Sequence, residues 1–181
     1  MRKTNWINTG LCAGLLLSGG FVLAPASPLQ AEERYQNGDQ EFLERALGVN
    51  QLELQLGRLA AERGSTPEVK AMGQKMVQKH TELGQQLSEL AGQSGGSGNP
   101  ELSPDQRATY DRVASQSGTA FDAAFKQTVD AGHVKELAMY REEVSRAASP
   151  QLRALAEGRV VKLEETVAKA DAPKKTVKHD W

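Results

Sequence analysis

The sequence predicts an all-α protein, a four-helix bundle of two antiparallel hairpins joined by a long crossover that carries a short helix. Three observations lead there. Apolar residues recur at helical spacing through four long segments. The breaks within the first pair and within the second pair are only a few residues long. The break between the pairs runs to about 25 residues, long for a compact domain.

The first 31 residues stand apart from this bundle. Arg2 and Lys3 open a short basic region, and Ile7 to Leu23 is apolar but broken by glycines and polar residues. Ala24-Pro25-Ala26 and Leu29-Gln30-Ala31 then offer small-residue cleavage sites, after Ala26 or after Ala31. That is the pattern of a secretory signal peptide. Cleavage after Ala31 is the better fit, because the charged run Glu32-Glu33-Arg34 begins there. An uncleaved anchor is the alternative, but the apolar run is too short and interrupted to span well. The residues before Cys12 do not resemble a lipobox. The expected product is secreted across the inner membrane and is periplasmic or envelope-associated. It has a bundle domain at 32–171 and a flexible tail at 172–181.

Cys12 is the only cysteine and leaves with the signal, which excludes disulfides, thiolate metal sites and cysteine nucleophiles. Losing Arg2 and Lys3 takes the basic count from 22 to 20 against 23 acidic residues, a net charge of −3. So weak and evenly mixed a charge points to no nucleic acid partner. Nothing after the signal is apolar enough for a transmembrane segment. An envelope protein or a second copy of the chain are the partners left open. Lys174, Lys175, Lys178 and His179 in the tail read as solvated.

Each helix has its own punctuation. The first runs from about Asp39, read as its N-cap, to Arg63. Gly64-Ser65-Thr66-Pro67 stops it and starts the second, with Thr66 as N-cap and Pro67 at the first helical position. The second ends near Ala91 and gives way to a Gly/Ser-rich connector at 92–102. Ser103-Pro104-Asp105-Gln106 has the form of a capping box and opens a short helix ending near Ser115. Gly118-Thr119 opens the third long helix, to about Ala148, and Ser149-Pro150 restarts the fourth, to about Ala170. Extended, a dozen residues reach about 40 Å. The second helix is about 36 Å long. The connector can therefore cross the bundle end to end, which gives the ferritin-like arrangement. An up-down-up-down bundle with a loose central loop is the alternative.

The apolar stripes contain ionisable residues. Phe42, Ala46, Val49, Glu53, Leu56 and Ala60 fall within about 80° of arc, as do Val69, Met72, Met76, His80, Leu83, Leu87 and Leu90. On the third long helix His133 and Glu136 lie inside the stripe that begins at Phe121. On the fourth, Thr166 and Arg159 lie towards one edge. Counted from the turns, Glu53 matches His80 in height and His133 matches Thr166. Burying such groups is costly unless they are paired. The sequence therefore predicts a polar layer of Glu53, His80, His133 and Glu136, with Thr166 beside it.

Two readings of this layer stand. In the favoured one, the protein is a non-catalytic binding or structural module and the layer is a hydrogen-bonded network. In the second, it is a metal-binding or redox protein, with Glu53, His80, His133 and Glu136 as candidate ligands for iron, zinc or copper. A full di-iron centre does not fit. Val77 stands where a Glu should precede His80, Asp130 points off the core face, and the fourth helix has no His. No nucleophile elbow, phosphate loop or other enzyme motif is present. Met72, Met76 and Met139 read as core filler.

The stretches Glu53-Leu54-Gln55-Leu56-Gly57-Arg58-Leu59-Ala60, Val69-Lys70-Ala71-Met72 and Met76-Val77-x-x-His80 resemble a bacterial exported helical family, domain of unknown function 4142. That family is often labelled predicted outer membrane protein. The resemblance covers about Gln40 to Ala170 and implies a ferritin-like fold and export, with no established activity. It also marks two departures. The family has an acidic residue before the second-helix His where this chain has Lys79. It ends with Leu-Pro-x-Leu-x-x-His where this chain has Val160 to Thr166, without the Pro or the His. If the family's inward histidines share a ligand, this chain lacks one of them.

Overall fold

A computed structural model gives the protein five helices and describes residues 28–93 and 101–171, with side chains from Asn37 onward. The expected signal peptide through residue 27, most of the Gly/Ser connector and the 172–181 tail lie outside the described residues. The helices are α1 (Pro28–Arg63), α2 (Pro67–Gln93), α3 (Pro104–Ala114), α4 (Gly118–Arg146) and α5 (Pro150–Asp171). Among the described residues there is no strand.

The helix ends follow the local chemistry read from the sequence. The Thr66 hydroxyl accepts from the Val69 amide at 3.3 Å, with Pro67 next in line where no amide is needed. Ser103 and Gln106 form a complete capping box, each side chain accepting from the other's backbone N–H. Gly118 opens α4 with φ +56°, a conformation that costs a residue with a Cβ about 1–2 kcal/mol. Ser149 Oγ accepts from the Leu152 amide ahead of α5.

One boundary is corrected. The backbone of α1 is helical from Pro28, so Asp39 lies within the helix and does not cap it. Its carboxylate accepts instead from the Ala148 and Ser149 amides, at 2.9 and 2.8 Å. Asp39 thereby binds the orphan donors of the α4–α5 turn, where the positive end of a helix favours an anion.

Contacts fix the helix directions. Asn50 meets His80 and Gly57 meets Gly73, so α1 and α2 are antiparallel. Phe42 packs edge-on against Tyr140, Glu53 faces His133 and Ser65 bonds Asp122, so α1 and α4 are antiparallel as well. α5 packs along α4, and α3 fills in against α1 and α4. Glycine sets the closest approach. A Cβ on Gly73 would lie 2.4 Å from the Ala61 nitrogen and 2.6 Å from the Gly57 oxygen, so no other residue permits this spacing.

The core is divided. One cluster, including Phe42, Leu43, Leu87, Tyr140, Leu152 and Leu163, joins α1, α2, α4 and α5. A second, including Leu56, Ala60, Met76, Val113, Phe121 and Phe125, joins α1, α2, α3 and α4. The charged and polar residues of the expected layer occupy the level between them.

Candidate metal centre

Glu53, His80 and His133 come together. Each offers a ligand atom, and these atoms all lie within 4.8 Å of one another. Three helices place them: α1 carries the acid, and α2 and α4 each carry an imidazole. Glu53 is 4 % exposed and His80 3 %, and His133 is half-buried beside them.

The carboxylate of Glu53 is unsatisfied. His80 Nδ1 stands 3.3 Å from Oε2 and His133 Nε2 3.9 Å from Oε1. Neither completes a hydrogen bond, and both oxygens are buried without a partner among the described residues. Leaving a buried acceptor unpaired costs about 1–3 kcal/mol, more if it is charged. Burial, and then the neighbouring charge of Glu136, push its pKa well above the ordinary carboxylate value, against the opposing pull of Arg159.

The imidazoles cannot supply the missing positive charge. Burial holds His80 down at about 3 and His133 at about 4, with the Arg159 guanidinium the next cause for each. Both rings are therefore neutral and present lone pairs at neutral pH. The tautomer of His80 follows from Asn50. The Asn50 amide donates to the His80 carbonyl oxygen at 2.9 Å, so its own oxygen is the atom 3.0 Å from His80 Nδ1. An oxygen can only accept there, so Nδ1, which also faces Glu53 Oε2, carries the proton, and a cation would have to use the lone pair of Nε2. Gly84 leaves the room: a Cβ on it would lie 2.7 Å from Asn50 Nδ2.

Glu136 faces inward as expected but stands outside the three-residue group. Both its oxygens accept from Arg159, each at 2.9 Å, in a forked pair. Burial raises the Glu136 pKa while Arg159 lowers it, and the guanidinium itself is held charged by Glu136. Thr166 does not join the layer. It is only half-buried, and its hydroxyl donates back to the Lys162 carbonyl at 2.8 Å. The α5 member of the layer is Arg159.

Two functional residues were thus missed or underread. Asn50 sits three residues before Glu53, on the same side of α1, and that spacing was the available signal. The helical period puts Arg159 only at a stripe edge. Its distance from the α4–α5 turn nearly matches that of Glu136, and this was the available signal for a pair.

The arrangement can hold one divalent cation. Two neutral imidazoles and one carboxylate form a borderline N/O donor set suited to zinc, iron or copper, and leave coordination positions open. The orphaned oxygens of Glu53 fit such an ion, and the Asn50 contact orients one ligand as outer-shell partners do. A family model described as "Domain of unknown function (DUF4142)" matches residues 24–172. No curated protein and no solved structure matches the chain.

Proposed function

The chain belongs to the DUF4142 family, a domain of unknown function, and we propose that it is a metal-binding module acting outside the cytoplasm. One observation carries this reading: the buried Glu53 carboxylate has no hydrogen-bond partner among the described residues yet faces two imidazoles. A purely structural network would satisfy its acceptors. A divalent cation between Glu53, His80 and His133 supplies the missing charge, and Glu136 stays with Arg159.

The ferritin-like arrangement is part of the proposal. It is supported by the antiparallel contacts of α1 with both α2 and α4, and by α3 lying in the crossover. Export is supported by the basic, apolar and small-residue pattern of the first 31 residues. When bound, the ion supplies Lewis acidity and an exchangeable position. The chain's own residues exclude bulk water and fix the ligand set. No residue in the layer is placed to act as a separate nucleophile, so the reading is of binding, without an assigned reaction.

Metal analysis of protein purified without chelator, then supplemented with zinc, iron(II) or copper(II), tests it. About one ion per chain is expected, lost in Glu53→Gln and His80→Ala. No ion after supplementation, or one that survives both changes, overturns the reading.

A further inference from the structure

The two hairpins repeat one another at a fixed offset of 83 positions, the step from Asp39 to Asp122. Aligned so, without a gap, Phe42 falls on Phe125, Glu53 on Glu136, Arg63 on Arg146, Pro67 on Pro150 and Lys79 on Lys162. The same offset carries the end of α1 onto the end of α4 and the start of α2 onto the start of α5. Contacts repeat as well. Asp39 accepts from the Ala148 and Ser149 amides. Asp122 accepts from the Ser65 amide at 2.9 Å, and the Thr66 amide adds a second bond. Ser65 and Thr66 are the counterparts of Ala148 and Ser149, so each hairpin binds the other's turn. A contact from one residue to another that returns with the two exchanged is the mark of a two-fold axis. Here the axis relates the antiparallel pair α1 and α4.

That axis maps the polar layer onto itself and shows an exchange. Glu53 and Glu136 are counterparts, but His80 corresponds to Leu163, His133 to Asn50 and Met76 to Arg159. The first carboxylate faces two imidazoles, and the second faces a guanidinium where both imidazole positions are changed. Leu163 is 1 % exposed, so its position is as enclosed as that of His80. Space follows the same exchange. Gly57 and Gly73 let α1 and α2 cross closely, and a Cβ on Gly57 would lie 3.0 Å from Met76 Cβ. Their counterparts are Tyr140 and Ala156, which carry side chains, so α4 and α5 cannot cross as tightly. The wider crossing accommodates the long Arg159 side chain.

We infer that the layer is a pair of cation half-sites related by this axis, and that Arg159 is the resident cation of the second. The inference rests on the metal reading and adds what limits it: the centre takes one ion because the chain fills the other place itself. A carboxylate buried at this level needs a cationic partner. An ion requires further donor lone pairs, which His80 and His133 supply. A guanidinium requires only acceptors, and Glu136 supplies both in a forked geometry. The residues at 76 and 159 therefore decide which kind of cation each acid takes.

Zinc is the probe, and its stoichiometry on the full chain is read by metal analysis after gel filtration. The parent should retain about one ion. Arg159→Met with Leu163→His makes the second half-site resemble the first and should raise this to about two. Met76→Arg makes the first resemble the second and should bring uptake close to zero, whereas Met76→Leu should keep the ion. Urea unfolding of the metal-free chains gives a reading independent of zinc. Glu53→Gln should lower the midpoint in the Met76→Arg background, where it breaks a pair, and should not lower it in the parent. Each arm stands alone if the other variant does not fold. One ion each in the parent, in Arg159→Met/Leu163→His and in Met76→Arg overturns the inference and leaves the metal reading standing. No ion in the parent with one gained in Arg159→Met/Leu163→His overturns the metal reading at Glu53 and supports Arg159 as occupant of its half-site. No ion in any chain, with Glu53→Gln acting alike in both backgrounds, overturns both.

Discussion

Two buried carboxylates share the middle of this bundle, and they are treated in opposite ways. Glu136 on α4 is 3 % exposed and has both oxygens gripped by Arg159. Glu53 on α1 is 4 % exposed and has neither oxygen satisfied among the described residues. The fold evidently can supply a guanidinium at this level, and it directs the one it has to Glu136. The difference separates a structural acid from an available one. The first pair is complete within the chain, while the second acid has no hydrogen-bond partner among the described residues, which is the opening the proposed cation would fill.

The comparison can be broken from the Glu136 side with the largest effect. Arg159→Met leaves a buried carboxylate unpaired and should cost about 3–5 kcal/mol in urea unfolding. Adding Glu136→Leu should return most of that loss, since an apolar pair of similar volume is often neutral. A loss below about 1 kcal/mol in the single variant would show that Glu136 is not dependent on its partner.

From the Glu53 side, the contrast is in the response to metal. At a free ion concentration of a hundred times Kd, the parent should gain about 2.7 kcal/mol, seen as a rise in Tm. Glu53→Gln should show no such gain. A variant that is stabilised as much as the parent would place the ion elsewhere.

Asn50 sharpens the picture at smaller scale. Asn50→Ala removes the acceptor that sets the His80 tautomer and should weaken metal binding by about 10–100-fold. Competition with a chromophoric chelator measures it. Unchanged affinity would mean that the ring is oriented by packing alone.

The smallest effect comes from another buried acid, Glu143, at the end of the bundle near Asp39. Glu143 has one oxygen buried and unpaired among the described residues. Burial, then Asp39, push its pKa up to about 7; Glu142 adds to this, while Arg146 and Arg45 pull the other way. The folded state therefore holds this proton more tightly than the unfolded chain does. That contribution is full below the ordinary carboxylate value, and is lost as pH rises from there through about 7. Partial solvent screening limits it to about 1 kcal/mol. Glu143→Gln should lack this decline when urea unfolding at pH 5 and pH 8 is compared. An identical decline in the variant would assign the pH dependence to other groups.

Much of this was legible in the sequence because helical period and short turns are strong constraints. Period alone put Glu53, His80, His133 and Glu136 on inward faces, and counting from the first turn brought Glu53 and His80 to one level. Period gives the direction of a Cβ, however, and says little about reach. Arg159 starts at a stripe edge, and its long side chain reaches Glu136 from there. For the same reason an inward direction does not tell a ligand from an ion-pair partner at Glu136, and Thr166, matched in height, folds its hydroxyl back onto its own helix. Asp39 has the sequence signature of a local cap because an acid before an apolar run is also what a long-range cap looks like. The residue type was informative, and its target was 109 positions away.

That last contact sets an order of events. A chain made from its N-terminus exposes Asp39 early, but the amides it binds do not exist until Ser149 has been added. Through most of synthesis the first rod has no latch at that end. The bundle can close there only when the final hairpin arrives, so a chain cut short before residue 148 has neither amide of this tie.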